Sequence, residues 1–216
     1  LGFFAFAVIV LFIHATVDAS NSYFPFIKSN AKQENLALPI QNAYAVKIPA
    51  KVSFAGEDVP LDDPEVRERL DRELTVNSYW QSSTIIMLKR ANRFLPTIEK
   101  VLKEEAVPDD FKYLCMAESS LDNVVSPAGA AGFWQFMKAT GTQYGLLINA
   151  EVDERYNLEK ATRAACKYLR DAKDKSGSWT AAAASYNMGL AGVNKQQNLQ
   201  GETAYYNLLL NTETSR

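Results

Sequence analysis

Glu118 closes the segment Phe111-Lys112-Tyr113-Leu114-Cys115-Met116-Ala117-Glu118. Read as a helix, this segment puts Phe111, Leu114, Cys115 and Glu118 on one face, by the i, i+3, i+4, i+7 rule. A carboxylate at the end of an apolar stripe is out of place, because burying it unpaired is costly. Either it is paired, or its raised pKa keeps a proton available for chemistry. Downstream, Ser126-Pro127-Ala128-Gly129-Ala130-Ala131-Gly132-Phe133-Trp134-Gln135 and Ser185-Tyr186-Asn187-Met188-Gly189 gather small, hydroxyl and amide residues. The single histidine, His14, lies in the apolar N-terminus, which excludes Ser-His and Cys-His catalysis from the folded part. With two cysteines besides, a metal site has almost nothing to be built from, and no cofactor is called for. Hydrolytic chemistry here must rest on carboxylates.

The elements around these residues read as helical. Asp62 or Asp63 caps a helix with Pro64 at its first position, running from Glu65 to about Leu74. Val76 to Arg93 is a second run, and Leu95-Pro96 opens a third from Thr97 to about Ala106 with Ile98, Val101 and Leu102 as its apolar face. Val107-Pro108-Asp109 breaks that helix and caps the Glu118 helix. A further helix is expected near Gly132 to Thr140, followed by Leu158 to Ala172, amphipathic through Ala161, Ala165, Tyr168 and Leu169. Trp179 begins an alanine-rich helix that another helix can approach closely, closed by Ser185 to Gly189. Shorter pieces follow at Val193 to Gln197 and Glu202 to Leu210. The fold class is all-α, with short connections.

Composition agrees with a globular domain plus extra segments: 216 residues, 47% hydrophobic, 22% charged, net charge -2. No basic stripe appears, so nucleic acid is not an expected partner. Leu1 to Ile13 is uninterrupted apolar sequence, and Val17-Asp18-Ala19 is a passable cleavage site, so residues 1–19 read as a signal peptide or N-terminal membrane anchor of an exported protein. Residues 20–60 read as a linker and extended lead-in. Within it Val46-Lys47-Ile48 and Val52-Ser53-Phe54 alternate like short strand pieces of an arm packed on the domain. Residues 61–216 form the main domain. Cys115 and Cys166 either pair, in an oxidising compartment, or stay as buried thiols. Tyr79 and Trp80 read as packing residues.

Glu118-Ser119-Ser120, Gly132-Phe133-Trp134-Gln135 and Ser185-Tyr186-Asn187-Met188-Gly189, in this order, resemble the lytic murein transglycosylases with a goose-type-lysozyme-like catalytic domain. The membrane-bound D type is the nearest within that group. Pro108-Asp109-Asp110-Phe111-Lys112-Tyr113-Leu114 and Ala161-Thr162-Arg163-Ala164-Ala165 share in the likeness. The resemblance implies that Glu118 is the single catalytic acid and that Ser119 helps hold its helix end. It implies that Ser126 hydrogen-bonds near the carboxyl group and substrate, and that Gly132 lets backbone come close. Gln135 would contact sugar, Met137 would line the groove, and Tyr186 and Asn187 would complete the substrate-binding set. Phe133, Trp134 and Ser185 depart from the family's residues at those positions. The implied substrate is the glycan strand of peptidoglycan, acted on by a monomer in the periplasm or cell envelope, with membrane contact through the N-terminal apolar segment. Thr212-Glu213-Thr214-Ser215-Arg216 resembles the start of the family's Glu-Thr-x-x-Tyr segment, which points to a domain truncated at its C-terminus.

A retaining glycosidase would add a second carboxylate about 5 Å from the first. Asp122, one turn beyond Glu118, reads instead as a loop or cap residue. In the family the substrate's own C6 hydroxyl attacks the anomeric carbon and yields a 1,6-anhydromuramyl product, so one carboxyl group suffices. A lysozyme-type muramidase hydrolysing the same bond is one alternative, and an inactive glycan-binding scaffold is another. Taken alone, Glu118 reads as a paired glutamate at a helix end; the other two motifs turn that reading towards catalysis.

Overall fold

The computed structural model describes residues 45–211 and Thr214. The expected leader at 1–19 with His14, and the lead-in as far as residue 44, lie outside the described residues. Among these are seven α-helices and one two-stranded hairpin, the all-α architecture expected.

From residue 45 the lead-in is indeed an arm packed on the domain. Strands β1 (Ser53–Phe54) and β2 (Glu57–Asp58) pair antiparallel. Ala55 and Gly56 turn the chain between them with φ of 53° and 80°. Val52 packs with Leu70 and Leu74, and the Phe54 ring meets Phe111 edge-on at 5.2 Å.

Helix α1 (Pro64–Tyr79) begins as the sequence indicates, with Asp63 accepting from the Glu65 and Val66 amides at 2.8 and 3.4 Å. It runs past Leu74 and stops only at Trp80, where φ and ψ are -87° and 53°. Helix α2 (Gln81–Glu104) then continues through Pro96, so the expected break at Leu95-Pro96 does not occur. Proline there removes the donor to the Asn92 carbonyl. Both Asn92 and Pro96 are exposed, so water can take that place. Met87, Ala91, Ile98, Val101 and Leu102 form one continuous buried face whose packing outweighs the lost bond. Tyr79 and Trp80, expected as packing residues, are 42% and 41% exposed.

Helix α3 (Phe111–Ser119) is the centre of the core, with every residue from Phe111 to Ala117 buried. Its apolar stripe is therefore part of a helix wrapped on all sides. Lys112 is tolerated there because Glu99, at 2.8 Å, and Asp109 hold its ammonium group. Asp109 is thus an ion-pair partner and not the expected cap. Asp110 stands at the cap position, and its carboxylate accepts the Ala55 amide at 2.7 Å.

Helices α4 (Lys138–Gln143), α5 (Leu158–Ser176), α6 (Trp179–Met188) and α7 (Leu190–Gln200) complete the bundle. Ser178 caps α6 through the Ala181 amide at 3.1 Å. The fully buried Ala181 and Ala182 let α5 and α6 pack closely. The segment from Glu202 holds only a 3-10 turn at Tyr205–Asn207. Residues 132–135 form a tight turn closed by a bridge between Ala131 and Phe136, where a helix was expected. Gly132 and Gln135 take φ of 80° and 49° there, which no helix accommodates. Both cysteines are free and buried.

Candidate active site

Helix α3 ends abruptly just past Glu118. Ser120 and Leu121 both take left-handed φ, 52° and 54°, and the Ser120 amide returns to the Met116 carbonyl at 2.8 Å. Glu118 keeps part of its surface accessible, yet enough protein surrounds it that burial pushes its carboxyl up to about 8. Among the described residues no hydrogen bond or ion pair reaches that carboxyl group. The choice left open by the sequence falls on the unpaired side: Glu118 is a proton-holding carboxyl group at neutral pH. Asp122 offers no second free carboxylate, because Arg90 binds it at 2.7 Å.

Consecutive carbonyls of the 132–135 turn tie two helix ends together. Ser119 Oγ lies 2.8 Å from the Phe133 carbonyl and 3.3 Å from that of Cys115. Tyr186, near the end of α6, donates its hydroxyl to the Trp134 carbonyl at 2.8 Å. Burial, and then the charge of Glu118, push the Tyr186 phenol well above its ordinary value. Ser119 is buried, and its hydroxyl is taken up by the Phe133 and Cys115 carbonyls. Phe133, Trp134 and Phe136 are all core residues.

Gly132 is required by close approach. A Cβ there would stand 1.9 Å from the Arg155 carbonyl oxygen, on a backbone already at φ 80°. Gln135 spends its amide nitrogen on the Gly132 and Val124 carbonyls, at 2.7 and 3.0 Å. Its side-chain oxygen has no protein partner among the described residues. Ser126 staples its own turn by accepting the Ala130 amide at 3.1 Å. Met137 faces outward, 46% exposed. Asn187 is exposed, and its side-chain oxygen accepts from the Thr214 hydroxyl at 2.8 Å. Gly189 ends α6, so Asn187 sits in a helix C-terminal signal as well as in the site motif.

Of two supporting residues, Arg155 carried no signal in the sequence and Thr162 entered only within the 161–165 likeness. Arg155 is buried, grips Asp153 with both arms, and donates to the Gly129 and Phe136 carbonyls at 2.9 and 3.0 Å. It thereby fixes the loop that carries Ser126 to Gln135. Thr162 accepts the Trp134 indole N–H at 2.9 Å. Both depend on partners distant in sequence, which spacing alone does not reveal. The Tyr186 bond can be weighed directly. Tyr186→Phe leaves the Trp134 carbonyl without its donor and is expected to cost about 1–2 kcal/mol in thermal unfolding. An unchanged melting temperature would show that this hydrogen bond does not hold α6 to the turn.

With seven α-helices among the described residues and its match to the transglycosylase family, the domain is of the lysozyme-like class. The family profile described as Transglycosylase SLT domain matches residues 96–209, and the chain belongs to that family. It is similar to the membrane-bound lytic murein transglycosylase D of Escherichia coli strain K12, 31% identical over 148 residues, 66% of this chain and 32% of the relative. The protein of the same name from Escherichia coli O6:H1 strain CFT073 matches with the same figures. The chain spans about a third of the length of these curated relatives.

Proposed function

We propose that this chain is a peptidoglycan lytic transglycosylase. It cleaves the β-1,4 bond between N-acetylmuramic acid and N-acetylglucosamine and forms a 1,6-anhydromuramyl end. The carrying observation is Glu118, its carboxyl pushed up to about 8 and, among the described residues, without a hydrogen-bond or ion-pair partner, while Arg90 occupies the neighbouring Asp122. Such a group can give its proton to the glycosidic oxygen as the bond breaks. The carboxylate then formed can take the proton of the substrate's C6 hydroxyl as that oxygen attacks the anomeric carbon. Attack within one molecule reaches effective molarities of about 10⁵ to 10⁸ M, so no second protein carboxylate is needed. Glu118 is the catalytic residue, with Gln135, Met137, Ser126, Tyr186 and Asn187 as the substrate-contacting or groove-forming set. The substrate lies outside the cytoplasm, which fits the apolar leader read in the sequence; the chain is taken to act as an exported monomer.

Mass spectrometry of murein digested by the protein tests the reading. The expected muropeptides are one water lighter than those released by hydrolysis. Reducing-end products of full mass would make the protein a muramidase, and binding without any release would make it a scaffold.

A further inference from the structure

The family match begins at residue 96, yet an element ahead of it reaches both helices that carry the site. We propose that the 53–58 hairpin sets the spacing between Glu118 and Tyr186, with Glu57 and Asp110 as positioning residues. Its catalytic consequence rests on the function proposed above.

Glu57 is used entirely at the start of α6. Its two oxygens accept the Trp179 amide at 2.6 Å, the Thr180 amide at 2.9 Å and the Thr180 hydroxyl at 2.7 Å. These amides belong to the helix start, where no carbonyl of the helix itself can serve them, and a negative charge suits that end. On the other side of the same turn, the Ala55 amide donates to Asp110 at the start of α3, at 2.7 Å. Between the two polar ties runs an aromatic row: Phe54 meets Phe111 at 5.2 Å, and Phe111 meets Trp179 at 5.3 Å. Phe111 and Trp179 are the first residues of α3 and α6. One hairpin therefore pins the N-terminal ends of the two helices whose opposite ends present Glu118 and Tyr186.

Short helices are stiff, so their far ends follow their near ends. At about 1.5 Å per residue, helices of this length span roughly 15 Å. A tilt at the hairpin becomes a displacement at the acid, and about 1 Å there can cost as much as 10²-fold in rate. Ser178 already caps the Ala181 amide, so α6 has a local cap without the arm. What Glu57 adds is a fixed direction relative to α3.

Two readouts test this in the intact chain, with Glu57→Ala, Glu57→Gln and the control Val52→Ala, whose side chain precedes the hairpin and packs with Leu70 and Leu74 of α1, away from α3 and α6. The first is amide hydrogen exchange without substrate. Glu57→Ala is expected to raise exchange along α6 as far as Tyr186 and at the end of α3, Glu57→Gln less so, and Val52→Ala at neither helix end. The second is turnover of murein, where Glu57→Ala is expected to lower kcat about tenfold with KM within about twofold, Glu57→Gln to fall between it and the parent, and Val52→Ala to leave kcat unchanged. Exchange confined to Trp179 and Thr180, or an equal loss of kcat in Val52→Ala, overturns the proposal. If Glu57→Ala does not fold, Glu57→Gln carries both readouts. A parent protein that releases no product refutes the enzymatic reading alone, and the exchange data still decide the role of the hairpin.

Discussion

Glu118→Gln is expected to lower murein cleavage by about 10²–10⁴-fold, the usual worth of a positioned acid–base group. The amide has nearly the same shape, so substrate binding should survive and the loss should appear in kcat. In the parent protein the same group sets a pH limit. The carboxyl is held up to about 8, so the acid is present below that value and activity falls as pH rises through it. Stability changes with the same sign. A carboxyl raised from 4.5 to about 8 on folding favours the native state fully below 4.5. That contribution is lost progressively as pH rises through about 8, because the unfolded chain ionises first. Glu118→Gln removes the penalty, so the variant should melt higher than the parent at pH 8 and with little difference at pH 4. Parent-like cleavage by Glu118→Gln would refute the catalytic assignment. An equal melting difference at both pH values would refute the burial argument.

The parts of the site legible in the sequence were those written in local patterns. Glu118 stood out against the apolar stripe of α3, and the Trp179 start and the Ser185-to-Gly189 close bounded the helix that carries Tyr186. Pro96 misled, because a proline is a break signal by local rule, while the buried face from Met87 to Leu102 decides that α2 continues. Residues 132–135 misled for a related reason. Their left-handed backbone at Gly132 and Gln135 is imposed by the Arg155 carbonyl and by carbonyls that Gln135 itself must reach. Asp109 looked like a cap because acidic residues usually are at that place, but the buried Lys112 ammonium claims it. Ser119 was marked as part of the motif, and its buried contact with Phe133 explains the hydroxyl without a sugar. In each case the deciding fact is burial in the folded core, which a local pattern does not show.

Gly132→Ala should be strongly destabilising, costing about 3 kcal/mol or more from overpacking and a left-handed backbone together. A methyl group at this position meets the Arg155 carbonyl oxygen at 1.9 Å, and neither side of that contact is a side chain that can rotate away. Arg155 is itself held by Asp153 and by the Gly129 and Phe136 carbonyls, so relief must come from moving the 132–135 turn. Gly129→Ala separates strain from clash. Its φ of 86° is just as unfavourable for alanine, but nothing lies within 4 Å of the added carbon. It should cost only the left-handed backbone term, about 1–2 kcal/mol. The difference between the two in chemical unfolding measures the close approach alone. Because the Phe133 and Trp134 carbonyls receive Ser119 and Tyr186, a displaced turn also moves the ends of α3 and α6. Gly132→Ala should therefore lose activity even where it remains folded, while Gly129→Ala keeps most of it. Equal stability losses in the two variants would show that the turn can slide off Arg155 without cost.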